Sequence, residues 1–106
     1  DMVFGAKRFT SANPGHVRAF LAAQREANAL IASDPARATG LFIQNSGSKV
    51  NPAEIEALLR DPETKFDTVP TGFMKYVDFM QRAGTIRVVP KDWREAVVAG
   101  LEGAGG

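Results

Sequence analysis

The run Phe66-Asp67-Thr68-Val69-Pro70-Thr71-Gly72-Phe73-Met74-Lys75-Tyr76-Val77-Asp78-Phe79-Met80-Gln81-Arg82-Ala83-Gly84-Thr85-Ile86 decides how the whole chain is read. Pro70 and Thr71 suit the opening of a helix, because proline's fixed φ matches a first turn and its missing N–H would have no partner there. From Phe73 the apolar side chains fall at Phe73, Tyr76, Val77 and Met80, one face of a helix. Met74 and Phe79 lie off that stripe, so the apolar surface is wider than one contact needs. Gly84 reads as the stop, since glycine takes the left-handed conformation that ends helices at low cost. A helix with this much apolar surface has to be covered by several neighbours. It carries no catalytic group, and its pattern is that of a packing element.

Outward from this helix, one punctuation recurs: Asn13-Pro14, Asp34-Pro35, Asn51-Pro52 and Asp61-Pro62. Asn or Asp accepts hydrogen bonds from the free N–H groups of a helix start, and proline fits the next position. A helical pattern follows the first three pairs, giving predicted helices from about Pro14 to Ala32, Pro35 to Asn45 and Pro52 to Arg60. Val17, Phe20, Leu21, Ala27, Leu30 and Ile31 make the inner side of the first. Ala38, Leu41 and Phe42 do so in the second, and Ile55, Leu58 and Leu59 in the third. At Asp61-Pro62 the pair closes a helix instead, because Thr64 to Thr68 shows no helical period. Asn51 with Glu54, and Asp92 with Glu95, stand at capping-box spacing. The latter pair opens a last short helix with Trp93, Val97 and Leu101 on its buried side. Met2-Val3-Phe4 is enough for part of one strand, and Thr85 to Pro90 is a short extended segment of β-branched residues before a proline. The expectation is therefore a mainly-α chain of about five short-to-medium helices with at most one short strand. It forms a single helical domain over residues 1–99, followed by a flexible glycine-rich tail over 100–106.

Composition narrows the function classes. A chain of 106 residues is one domain at most, and 44% hydrophobic with 24% charged residues is ordinary for a globular protein. The net charge of +1 is spread over interleaved acids and bases, which leaves no basic stripe for a phosphate backbone and argues against nucleic acid as a partner. With no cysteine, disulfides, thiolate chemistry and cysteine-based metal sites are removed together. No apolar run approaches the roughly 20 residues that span a bilayer.

The search for chemistry returns little. His16 is the single histidine; it sits near a helix start, where an imidazolium is disfavoured, and has no second ligand or triad partner. Glu54, Glu56, Asp61, Glu63 and Asp67 lack the spacing of a calcium loop and read as a solvated face. No glycine-rich phosphate loop occurs. The expectation is of no enzyme, cofactor, metal or catalytic residue. Asp67, Thr68, Thr71 and Tyr76 place polar groups at a loop and a helix N-terminus, suited to an anionic group. Thr68, Thr71 and Tyr76 are thus the candidate ligand-binding residues, with helix capping as the plainer role for the two threonines.

The segment from Leu59 to Met80 resembles the C-terminal region of the periplasmic solute-binding proteins of ABC importers. The branch it is similar to includes the nitrate, taurine, alkanesulfonate and thiamine-precursor binding proteins. The family run is met by Asp61, Pro62, Phe66, Pro70, Gly72, Met74, Lys75, Asp78, Phe79 and Met80, followed by Gly84-Thr85-Ile86 and a helix led by Trp93. Upstream, Lys7, Phe9, Asn13-Pro14, Val17, Ala19-Phe20-Leu21, Glu26-Ala27 and Asp34-Pro35 are also similar to the family, so the resemblance covers roughly residues 3–99. Such proteins are two-lobed α/β molecules of about three hundred residues that close on a ligand by hinge motion. The resemblance therefore implies a C-terminal fragment from which most of both sheets is missing. It also implies a periplasmic parent, a small-molecule solute of the sulfonate, nitrate or aromatic-acid class, and an ABC permease as partner. A fragment would leave its main helix uncovered, so Phe73, Tyr76, Val77 and Met80 are the expected self-association face. The alternative is a free-standing helical protein-interaction module.

Overall fold

The computed structural model describes residues 2–101. Among them are five α-helices, one short 3-10 helix and no strand, so the chain is mainly α as its periodicity implied. The helices are α1 (Lys7–Ala12), α2 (Pro14–Ser33), α3 (Pro35–Ser46), α4 (Pro52–Arg60) and α5 (Phe73–Arg82), with the 3-10 turn at Trp93–Ala96. Contacts divide the described chain into two compact units, residues 2–18 with 68–101 and residues 19–67.

Three helix starts follow the proline punctuation, but only two follow it for the expected reason. Asp34 Oδ1 accepts the Arg37 N–H at 3.1 Å, and Asn51 Oδ1 accepts the Ala53 N–H at 2.9 Å. Each satisfies an N–H that the first turn leaves without a partner, worth about 1 kcal/mol. The Asn13 side chain instead donates to the Phe9 carbonyl at 2.9 Å, closing α1 behind it. At Asp61-Pro62 the chain does leave the helix: Asp61 Oδ1 accepts the Glu63 N–H at 2.8 Å and its carbonyl the Thr64 N–H at 3.0 Å. Asp at the first position and Pro at the second are the residues such a turn favours.

Four expectations need correction. Helix α5 does not open at Pro70 and Thr71; its N-cap is Gly72, at φ 68°, and no side chain caps it. A left-handed residue there breaks the helical path, so the two residues expected in the first turn lie outside. The other end is as expected, with the Thr85 N–H on the Met80 carbonyl (2.9 Å) and the Gly84 N–H on that of Gln81 (3.0 Å). This is the paired closure that a left-handed glycine permits. Second, Met2-Val3-Phe4 forms no strand and is exposed, Phe4 at 96%. Third, the six-residue α1 was not anticipated; with no side-chain N-cap it carries no start signal. Fourth, the last helix is a single 3-10 turn of four residues. Asp92 Oδ1 caps the Arg94 N–H at 2.9 Å, while Glu95 reaches back to the Lys91 N–H at 3.2 Å rather than to Asp92. Of the expected tail, 102–106 lies outside the described residues.

In the unit of residues 19–67, α3 packs along α4, the one pair of elements in extended contact among the described residues. Pro35, Ala38 and Thr39 are buried on α3, and the Thr39 hydroxyl donates to the Pro35 carbonyl at 2.8 Å. Burial of that hydroxyl therefore leaves no donor unsatisfied. Leu58, expected inward, is exposed, as are Phe20, Leu41 and Phe42. The acidic run is solvated, and Glu56 pairs with Arg60 at 2.7 Å, an exposed helical pair worth a few tenths of a kcal/mol.

In the other unit the buried apolar side chains are Val77 and Trp93. The Arg94 guanidinium lies 4.7 Å from the Trp93 ring centroid, a cation–π contact. The Arg94 backbone N–H, and behind it the Arg94 side chain, hold the Asp92 carboxyl below its ordinary value of 3.8. A carboxyl with a depressed folded-state pKa adds stability that is present above its unfolded value and lost as pH falls through the folded value. The 3-10 turn should accordingly loosen only below about pH 3.8. NMR titration is expected to give an Asp92 midpoint under 3.8, with the Arg94 amide shifting in step. A midpoint at or above the ordinary value would disprove this cap.

Candidate functional site

Thr68, Thr71 and Tyr76 line neither of the depressions described below. Thr68 is half-buried in irregular chain, Thr71 is exposed, and Tyr76 stands 71% exposed on α5. Neither threonine caps α5, whose start belongs to Gly72. Val77 is only 5% exposed and forms part of the buried interior, and Phe73 and Met80 are half-buried. The open aromatic surface is Tyr76 with Phe79, the latter 62% exposed. Three positions apart, they are neighbours on the helix surface.

Among the described residues, other side chains line two open depressions of similar size, about 270 Å³ each. One is an open depression beside Asp78, Gln81 and Arg82, along a single polar face of α5. The second, of about 270 Å³, lies within residues 19–67 and is built from three segments. Asn28, Ile31 and Ala32 come from α2, where spacings of three and four put them on one face. Leu59 comes from the last turn of α4, and Thr64, Lys65, Phe66 and Asp67 from the loop beyond. The turn at Asp61-Pro62 redirects that loop, whose residues line the depression together with those of α2. Neither cavity contains Thr68, Thr71 or Tyr76.

The second cavity has an ordered polar edge. Gln24 Nε2 donates to Asn28 Oδ1 at 3.0 Å, which orients the Asn28 amide and leaves its NH2 group as a donor and one lone pair of its oxygen as an acceptor. Lys65 is exposed and has no ion pair among the described residues. Asp67 already has a partner within the chain. Ile31 and Leu59 are half-buried, and Phe66 adds an exposed ring. The lining thus sets apolar side chains beside an amide, a hydroxyl, an ammonium and a carboxylate group. His16 is elsewhere, exposed, with its ring 6.2 Å from that of Phe9.

Sequence reasoning missed this cavity because its parts lie some thirty residues apart and share no motif. The one local signal was a cation beside an aromatic residue, Lys65-Phe66, in a stretch without helical period. No protein-family model, characterised protein or solved structure matches the chain.

Proposed function

We propose that this chain is the C-terminal part of a periplasmic solute-binding protein serving ABC-type import of a small organic or anionic solute. The supporting observation is the amount of apolar surface left uncovered. Among the described residues Phe4, Phe9, Phe20, Leu58, Tyr76, Phe79 and Val88 are all exposed. Ala38, Val77 and Trp93 are the buried apolar residues among those described, although apolar stripes run along every longer helix. With no cysteine to staple it, a chain with so small a core needs further protein against it. The family resemblance of residues 3–99 supplies that protein as the two lobes that precede such a segment.

In this reading the chain does no covalent chemistry. It would help frame a cleft that closes on a solute by hinge motion and then presents the closed form to a membrane permease. Taken alone, the chain would cover its surface by self-association. The second reading, a free-standing helical interaction module, is favoured by the exposed Tyr76 and Phe79 pair, since aromatic side chains are enriched at protein interfaces.

Antibody raised against the chain distinguishes the two readings in fractionated cells that carry its gene. The expected result is one band in the periplasmic fraction, about three times the length of this chain, as the family's hinge-closing proteins are. A cytosolic band of this chain's own size would overturn the proposal and favour the interaction module.

A further inference from the structure

We draw no further inference here: the strongest candidate, the exposed aromatic pair Tyr76 and Phe79 on α5, is an uncovered helix face with nothing in the structure to show what covers it, since the exposed charges on the same helix, Lys75, Asp78 and Arg82, are of both signs and select no partner.

Discussion

Trp93→Ala should unfold the unit that contains it. Trp93 is the most deeply buried large side chain among the described residues, 3% exposed, and removing a buried tryptophan costs about 3–5 kcal/mol in lost transfer energy and cavity. A unit of roughly fifty described residues has only about 2.5–7.5 kcal/mol of stability at the usual 0.05–0.15 kcal/mol per residue, so the loss is comparable with the whole. The Arg94 guanidinium above the ring loses its aromatic partner in the same step. Urea unfolding followed by circular dichroism should show a midpoint lower by at least about 1 M, or no folded baseline at all. Trp93→Phe keeps most of the apolar volume and should fall between the variant and the parent. Phe79→Ala, at an exposed position, should shift stability by no more than about 0.5 kcal/mol. A Trp93→Ala variant as stable as the parent would show that this side chain does not hold the fold.

The second large effect concerns association. In solution the isolated chain should be a dimer or larger assembly, and Tyr76→Glu with Phe79→Glu should move it toward monomer. Each of the two aromatic side chains has roughly 100–150 Å² to lose to a partner, or about 3 kcal/mol each at 25 cal/mol per Å². In a two-fold interface both occur twice, giving on the order of 10 kcal/mol as an upper bound before the costs of association are set against it. Two glutamates facing their own copies would add like-charge repulsion. Light scattering with intact-mass spectrometry on the same sample measures the result. A parent chain that is a stable monomer would mean that five helices suffice without a partner. Weight would then move from the fragment to the interaction module.

The stripe Phe73, Tyr76, Val77 and Met80 was legible because its spacing is helical, and it does lie on one helix. Which part of a wide apolar surface faces inward depends on what stands beside the helix, and the sequence of the helix does not contain that. Val77 is buried while Phe79, off the stripe, is open. The same limit applies to Leu58 and Phe20, apolar residues in helical register that the described chain leaves exposed.

What the sequence by itself determined is what local interactions decide. Helix class, the caps at Asp34 and Asn51, the turn at Asp61-Pro62 and the closure at Gly84 all rest on hydrogen bonds spanning five residues or fewer. Such bonds can be read from neighbouring residue types. Local reading failed where one backbone angle overrode a propensity, as Gly72 does after Pro70-Thr71, and where a three-residue apolar run found no strand to pair with. Only the tertiary structure decided the cavity. Asn28 and Lys65 meet there because a turn at residue 61 brings a loop back beside α2. No spacing rule connects side chains so far apart along the chain, because their approach is set by packing.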